Sequence, residues 1–237
     1  MADSFVSHPG AGTLFVGSYV SPAAVIRERL EAFIIADDVE IADETAAWGG
    51  LTFFTGMPRE KLAEELPGGT IFRGRRDASA HWEWVAPLAT WRTVCAQLPA
   101  DGQLDAVEMA RRRIHAGIPA VPADIGPNDV PNEGGLERDA ISYTKGCYLG
   151  REVMARLKAM GKVRRRLLRV TGPGALPPLP ASLFAGERQV GELRSAISDG
   201  GGFAGLAMLS LLHLEPGQSL SWLANGAEVV AWSDQHD

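Results

Sequence analysis

Residues 167–210, LLRVTGPGALPPLPASLFAGERQVGELRSAISDGGGFAGLAMLS, decide the fold of the C-terminal third of the chain. Short apolar runs alternate here with turns rich in glycine, proline and aspartate, and no run has the length of a useful helix. This spacing is typical of a small closed or sandwich-like β domain. Together with the residues that follow, the pattern predicts six strands, at 167–170, 182–184, 189–193, 203–208, 219–223 and 228–232.

The first part of the chain alternates strands with helices. Helices are predicted after Ser21-Pro22 and after Pro58, since a proline is favoured at the first position of a helix. The order β-α-β-β-α-β-β is that of a ferredoxin-like α+β layer. The predicted strands of this layer are 14–16, 38–42, 51–55, 70–72 and 82–85.

Two further helices and a long loop precede the β region. Residues 103–115 carry apolar side chains on one face and stop at Gly117, and residues 149–160 form a helix that ends at Gly161. Residues 119–135 are rich in proline, glycine, asparagine and aspartate, and long loops inside compact domains are often functional. We place the domain boundary near residues 162–172, with an α+β region at 1–165 and a β domain at 166–237.

The composition excludes several classes of protein. With 46% hydrophobic and 22% charged residues over 237 positions, the chain is globular, and disorder, collagen and coiled coil are excluded as global descriptions. Its longest nearly uncharged stretch, residues 200–214, is shorter than the roughly twenty apolar residues of a membrane span. The N-terminus has no basic cluster and no apolar segment of a secretion signal. We therefore expect a cytoplasmic protein without a membrane partner.

The net charge of −6 hides a strong asymmetry. Between Lys145 and Arg169 lie nine basic residues and one acid, so this segment carries +8 and the rest of the chain −14. The basic run from Lys158 to Arg169 has three interpretations of similar weight: a solvated face, an anion site for polyglutamate or an acidic partner, and an RNA contact. Strand alternation would place Arg165 on the face opposite Arg164 and Arg166. The run comprises Lys158, Lys162, Arg164, Arg165, Arg166 and Arg169.

The peptide with the clearest chemical signal is Thr144-Lys-Gly-Cys-Tyr-Leu-Gly-Arg-Glu-Val-Met-Ala-Arg156. Gly146 and Gly150 bracket Cys147 and permit backbone shapes or close approaches that a side chain would block. With a helix starting near Leu149, the helix dipole and Lys145 would favour thiolate over thiol at Cys147. A buried thiol packed at a tight turn is the alternative, and the two interpretations have nearly even weight.

The cysteine and histidine counts limit metal chemistry. An iron-sulfur cluster usually takes four thiolates, whereas this chain has only Cys95 and Cys147 and no Cys-x-x-Cys motif. We therefore expect no permanently bound cluster, although one exposed thiolate can ligate transiently when a partner supplies the other ligands. The histidines show no close pairing, so we assign no metal. They are His8, His81, His115, His213 and His236.

The segment Lys145-Gly-Cys-Tyr-Leu-Gly-Arg-Glu152 resembles the Lys-Gly-Cys-Tyr-x-Gly-Gln-Glu signature of the YgfZ-type folate-binding proteins, relatives of the aminomethyltransferase T-protein of the glycine cleavage system. The resemblance runs from about residue 13 to the end. Supporting segments are Arg113-Ile-His-Ala-Gly-Ile-Pro119, Val130-Pro-Asn-Glu133, Val163-Arg-Arg-Arg-Leu-Leu168, Gly191-Glu-Leu-Arg-Ser195 and Gly205-Leu-Ala-Met208.

The resemblance implies a ferredoxin-like GcvT-type folate-binding region, N-terminally incomplete here, followed by a six-stranded antiparallel β-barrel. It implies a folate-dependent accessory factor for maturation or repair of iron-sulfur proteins, including tRNA-thiolating enzymes, with Cys147 as the reactive residue. Lys145, Arg151, Glu152 and Arg156 would support the thiol, with Glu152 and Arg156 paired at i, i+4. Tetrahydrofolate would contact His115, Glu133 and Tyr148. Arg151 replaces the glutamine of the signature, and His115 replaces an acid that pairs with the pterin in the T-protein.

Two other functions stay open from the sequence. The chain is a candidate tetrahydrofolate-dependent aminomethyltransferase, for which the acids of the long loop, Asp124, Asp129 and Glu133, are the nearest candidates for a general base. It is also a candidate interaction module that has lost folate binding. Iron-sulfur enzymes or assembly proteins are the expected partners under the leading hypothesis, which favours a non-catalytic accessory factor.

Overall fold

The computed structural model describes residues 2–10, 12–36, 38–138, 140–160 and 163–233. The chain divides into two compact units, residues 1–106 and 107–237. No helix in those ranges is both long and apolar enough to cross a membrane. Lys162, Gly161 and His236, which entered the sequence predictions, lie outside the described residues.

The first unit contains a hairpin and a separate three-stranded antiparallel sheet in the order β3-β5-β4. Helices α2 and α3 follow β3 and β5 along the chain, and helix α1 has no buried residue. The elements are β1 (Phe5–Gly10), β2 (Thr13–Gly17), α1 (Ala23–Glu31), β3 (Trp48–Phe53), α2 (Arg59–Glu65), β4 (Thr70–Arg73), β5 (Trp82–Pro87) and α3 (Leu88–Cys95).

Trp84 of β5 is the centre of the core of this unit. Its ring is fully buried, and Leu62 of α2 and Val94 of α3 belong to the same cluster of buried side chains. The indole Nε1–H donates a hydrogen bond of 2.9 Å to the Gly68 carbonyl, so the polar atom of this large side chain is satisfied.

The ferredoxin-like arrangement is not confirmed. The predicted strand at 38–42 is absent, and the predicted strand at 14–16 lies in the β1–β2 hairpin rather than in the three-stranded sheet. Residues 38–44 are exposed except for Ile41, which is half-buried. An alternating pattern forms a strand only where a neighbouring strand and a core accept it, and this acidic segment has neither.

The second unit is built on a five-stranded antiparallel sheet in the order β10-β6-β9-β8-β7. Helix α4 and the long loop after it cover one side of the sheet. The elements are α4 (Ala106–His115, whose first residue ends the first unit), α5 (Arg151–Met160), β6 (Arg165–Pro173), β7 (Ala181–Ala185), β8 (Arg188–Asp199), β9 (Gly202–Ser210) and β10 (Ala231–Ser233).

The central strand β9 is buried on both faces. Every residue from Phe203 to Leu209 is buried, because alternate side chains enter two different cores. Phe203 and Leu209 join one cluster, whereas Leu206 and Met208 join a second one with Ile114 of α4 and with two loop residues, Val121 and Ile125. Both faces of the sheet are therefore covered by apolar packing.

The six-stranded barrel is not confirmed. Four of the predicted strands lie within β6, β7, β8 and β9, and the fifth, at 219–223, is present only as two isolated bridges. Leu220 pairs with Val230, and Ser221 pairs with Phe184 of β7. One bridge to each side is too short to propagate a ladder, so the described sheet has five strands and is not a closed barrel.

The compact units divide the chain at a different place from the sequence prediction. Ile114, Val121 and Ile125 pack against Leu206 and Met208 of β9, so α4 and the loop after it belong with the C-terminal sheet. The division into family regions 1–165 and 166–237 stays a prediction.

Candidate functional site

Cys147 lies in an exposed turn before α5. The helix begins at Arg151, two residues later than predicted, and the Met154 N–H donates to the Gly150 carbonyl at 3.1 Å. Gly150 has a φ of +83°, a left-handed conformation that favours glycine. Gly146 has no such φ, and no neighbouring atom lies within 4 Å of the position of an added Cβ. The thiol is thus exposed rather than packed in a tight turn.

Two lysines of this segment lie over tyrosine rings. Lys145 Nζ is 4.7 Å from the ring centroid of Tyr148, and Lys158 Nζ is 4.2 Å from that of Tyr143. These distances are typical of cation–π contacts. The Tyr148 hydroxyl is buried and has no hydrogen-bond partner among the described residues.

The predicted ion pair between Glu152 and Arg156 is absent from the part of the chain that the structure describes. Arg151 likewise forms no ion pair there, so the structure does not bring the supporting charges of the signature into contact with one another. The physical reason is that an exposed pair at i, i+4 gains only about 0.3–0.5 kcal/mol, and water competes for both side chains.

Cys95 differs from Cys147 in its surroundings. It ends helix α3 of the first unit and is only partly exposed, and burial raises the pKa of its thiol above the ordinary value. Both cysteines are free. Of the two thiols, Cys147 is therefore the one accessible to another molecule.

A cluster of ion pairs joins the long loop to the C-terminal sheet. Arg194 of β8 donates to Asp129 Oδ2 at 2.5 Å and to the Asp124 carbonyl at 2.7 Å. Arg165 of β6 donates to Glu133 at 3.0 and 2.9 Å and to Asp129 Oδ1 at 3.0 Å. The three carboxyl-bearing loop residues are buried, so two arginines from different strands hold the loop by charge-assisted hydrogen bonds.

The surroundings of Asp129 favour its charged form. Burial alone would raise the pKa of this carboxyl, but hydrogen bonds from Arg194 and from the Gly126 N–H oppose it. The positive charges of Arg194 and Arg165 act in the same direction as the hydrogen bonds, and together they hold the pKa below its ordinary value.

A third arginine fixes the start of the same loop. Arg113 of α4 donates to Asp124 Oδ2 at 2.6 Å, to the Ile118 carbonyl at 2.8 Å and to Ser195 Oγ at 3.1 Å. Asp124 Oδ2 also accepts the Ala120 N–H at 2.8 Å. One oxygen of this fully buried carboxylate therefore satisfies both an arginine and a backbone amide.

The residues predicted to contact folate are not brought together by contacts in the described chain. His115 Nε2 lies 2.9 Å from Asp199 Oδ2 at the end of β8. Glu133 accepts from Arg165 and also from the Val130 N–H at 3.0 Å. Both carboxylate oxygens of the buried Glu133 already accept hydrogen bonds, which argues against its use by a pterin, whereas His115 engages only Nε2 among the described residues and keeps Nδ1 as one acceptor.

The basic run does not form one surface. Arg165 is directed into the acidic loop, and Arg169 donates to the His115 carbonyl at 3.0 Å, whereas Arg164 is exposed. Arg164 lies in a bend before β6 begins at Arg165, so the predicted strand alternation of these two residues stays a prediction. Lys158 lies over Tyr143, as described above.

An open cleft of about 470 Å³ lies beside the ion-pair cluster. Arg165, Arg194 and Asp129 line one part of it, and Pro122 and Pro180 line another. Sequence reasoning missed the cleft and the role of Arg194, because the pairing of Arg194 with Asp129 joins positions far apart in the chain. The sequence offered one local signal, which is that Arg194 directly follows the apolar residue Leu193 at the end of a predicted strand.

Comparisons with known proteins define the class of fold first. Residues 164–235 match the family model of the CAF17 C-terminal beta-barrel domain. The crystal structure of the glycine cleavage system aminomethyltransferase T from Bartonella henselae superposes with a TM-score of 0.55 at 17% identity, covering 70% of this chain and 48% of that one. About 70% of this chain therefore shares the fold of part of the aminomethyltransferase T structure, and residues 164–235 resemble a C-terminal beta-barrel domain, although their described sheet is not closed.

Sequence relatives then indicate the family. The iron-sulfur cluster assembly factor IBA57, mitochondrial, of Mus musculus is 31% identical over 176 residues, which cover 72% of this chain and 48% of the relative. The tRNA-modifying protein YgfZ of Cronobacter sakazakii is 35% identical over 141 residues, 59% of this chain and 42% of the relative. These similarities support the YgfZ/GcvT-like family, and the chain spans about half the length of the curated relatives that it matches.

Proposed function

We propose that this chain is an accessory factor for the assembly or repair of iron-sulfur proteins, with Cys147 as its reactive group. The observation that carries the proposal is the exposed thiol at the centre of Lys145-Gly-Cys-Tyr-Leu-Gly-Arg-Glu152, in a chain similar to a factor named for iron-sulfur cluster assembly. The similarity to a tRNA-modifying protein favours clients among the enzymes that modify tRNA.

The chemistry available to Cys147 is transient ligation. A thiol that binds iron loses its proton and contributes one sulfur, whereas a cluster usually needs four thiolates. In the described residues no group of three or more His, Cys, Asp or Glu side chains is placed to hold a metal ion. The partner would therefore supply the remaining ligands, and an exposed position of the thiol suits that role.

The experiment is complementation in cells that lack the gene for this protein. We expect wild type to restore the activity of an iron-sulfur enzyme, and Cys147→Ser to fail at equal protein level. Cys95→Ser is the matched control and should restore activity, because that thiol is partly buried in α3. Full restoration by Cys147→Ser would overturn the proposed role of the thiol.

Tetrahydrofolate binding is a proposal that rests on the family resemblance, and no step of the proposed function depends on it. The hydrogen bonds already accepted by both oxygens of Glu133 argue against this residue as a pterin ligand, whereas His115 offers at most the one acceptor Nδ1. Calorimetric titration with tetrahydrofolate tests the point directly. Tight binding would reject the interpretation of the chain as an interaction module that has lost folate, and no binding would leave the thiol function intact.

The alternative of an aminomethyltransferase has less support. Such an enzyme needs an acid near the folate amine, and the three candidate acids each accept hydrogen bonds from an arginine or from a backbone N–H. The similarity to an aminomethyltransferase at 17% identity concerns the fold alone. An assay of methylene transfer from an aminomethylated lipoyl carrier would decide between the two functions.

A further inference from the structure

The outer side of α5 is apolar and basic at the same time. Leu149, two residues before the helix, is 75% exposed, and Val153 is 49% exposed. The half-buried residues of α5, Arg151, Met154 and Leu157, mark the side turned towards the protein. Val153 is a neighbour of Leu157 at i, i+4, so it lies at the outer edge of that side and is exposed.

Arg156 lies on the same outer side as Val153, because residues at i and i+3 of a helix are neighbours on its surface. Both are exposed, and so are Lys145 and Cys147 in the preceding turn. We call the surface of Lys145, Cys147, Leu149, Val153 and Arg156 the α5 face. A large exposed leucine and valine beside a thiol are typical of a protein contact rather than of a solvated surface.

The charges of this segment are uncompensated. Residues 145–158 contain four basic residues and one acid, and none of the five belongs to an ion pair within the described chain. Arg113, Arg165 and Arg194 of the same unit, by contrast, are all paired with buried carboxylates. A partner that brings acidic side chains to α5 would meet this positive charge, and Glu152 is the one acid within residues 145–158.

The exposed groups favour a protein over RNA. Single-stranded RNA is held largely by bases that stack on exposed aromatic rings. The rings of Tyr143 and Tyr148 in this segment each carry a lysine of the same chain over one face, and the side chains left exposed beside the basic residues are aliphatic.

We infer that the α5 face docks a protein partner that presents acidic side chains around an apolar one. The apolar side chain would cover Leu149 and Val153, and the acids would meet Arg156 and Lys145. The inference deepens the proposed function, since it rests on the idea that a partner meets Cys147, but docking itself does not require the thiol.

The test uses fluorescence anisotropy with three labelled probes and the 237-residue chain. The probes are a glutamate-rich helical peptide with two leucines spaced i, i+4, the same peptide with serine in place of leucine, and an oligouridylate. We expect the leucine peptide to bind more tightly than either other probe. We expect Val153→Ser to weaken it by about fivefold or more, because a buried aliphatic contact is lost.

The variants separate docking from stability and from the thiol chemistry. Arg156→Ala should weaken binding and reduce its dependence on salt, while Ala155→Ser, an exposed change on the other side of α5, should leave it unchanged. The binding assay contains no iron and no client enzyme, so a loss of peptide binding by Val153→Ser tests docking, whereas a failed complementation by Cys147→Ser tests the thiol chemistry. Tighter binding of oligouridylate, or no effect of Val153→Ser and Arg156→Ala, would overturn the inference.

Discussion

Arg194 and Asp129 form the tightest link between the sheet of the second unit and the loop that leads to the signature segment. The guanidinium donates to both carboxylate oxygens, at 2.5 and 3.4 Å, and the side chains are only 13% and 3% exposed. A charge pair with this burial is costly to break, because either partner left alone is an unpaired ion in a medium of low dielectric.

Replacing either partner should therefore destabilise the second unit. We expect Arg194→Met to lower the free energy of unfolding by about 3 kcal/mol, since the Asp124 carbonyl would lose its guanidinium donor and buried Asp129 would lose the nearer of its two arginines. Urea denaturation followed by circular dichroism measures the change. Arg164→Met, at an exposed position, is the control and should stay within about 0.5 kcal/mol of wild type. If the two variants lost the same amount of stability, the pair of Arg194 and Asp129 would not be an important link.

The same pair predicts how stability depends on pH. The pKa of Asp129 is lower in the folded chain than its ordinary value, so the stabilisation is present above the unfolded pKa of about 3.9 and is lost as pH falls through the folded value. Wild type should lose stability on acidification below about pH 4. Asp129→Asn should be less stable near neutrality and should show a smaller loss at low pH. If Asp129→Asn lost as much stability below pH 4 as wild type does, Asp129 would not contribute to the pH dependence of stability.

Arg165 should behave as a structural residue rather than as part of an anion site. It donates to Glu133 and Asp129, so Arg165→Ala leaves two buried carboxylates with fewer donors, at a cost of about 2 kcal/mol. Arg165→Lys should recover only part of this, because an ammonium group lacks the planar fork of a guanidinium. Thermal unfolding compares the stability of the two variants. If Arg165→Ala lost polyanion binding but kept the stability of wild type, Arg165 would belong to an anion site instead.

The sequence predicts well what depends on neighbouring residues. The apolar run at 203–208 predicts β9, and the helix predicted at 149–160 is present as α5, which begins two residues later than expected. Contacts between residues far apart in the chain cannot be predicted from such local patterns. The acidic segment at 38–42 alternates like a strand but has no partner strand, and the pairing of Arg165 with Glu133 depends on a loop path that the pattern does not specify.

The signature illustrates the same division. The helix after the signature follows from the segment itself, whereas the segment left an exposed and a buried Cys147 at nearly even weight, and only the structure shows that the thiol is exposed. The expected pairing of Glu152 with Arg156 does not form, because solvent competes for exposed charges. The surroundings of His115 and Glu133 also depend on distant groups, since Asp199 pairs with Nε2 of His115 and Arg165 pairs with Glu133.

Gly191 of β8 should tolerate no side chain. A Cβ at this position would overlap the carbonyl oxygen of Met208 in β9, and backbone atoms of a paired central strand cannot move aside. We expect Gly191→Ala to cost about 3 kcal/mol or more. Gly50→Ala in β3, where the nearest atom is 3.5 Å from the added Cβ, is the matched strand control. Comparable denaturation midpoints for both variants would show that β8 and β9 are further apart than the structure places them.

Alanine substitutions at Gly146 and Gly150, on either side of Cys147, should affect folding stability and the access of a partner differently. Gly150 has a φ of +83°, so Gly150→Ala should cost about 1 kcal/mol of stability, whereas Gly146→Ala, in open space without a left-handed φ, should cost almost nothing. If a partner approaches the thiol closely, Gly146→Ala should nevertheless reduce complementation, since its methyl group would stand beside Cys147. Urea denaturation and the complementation assay together decide this. A Gly146→Ala protein that is as active as wild type would show that the partner does not approach the backbone at this position.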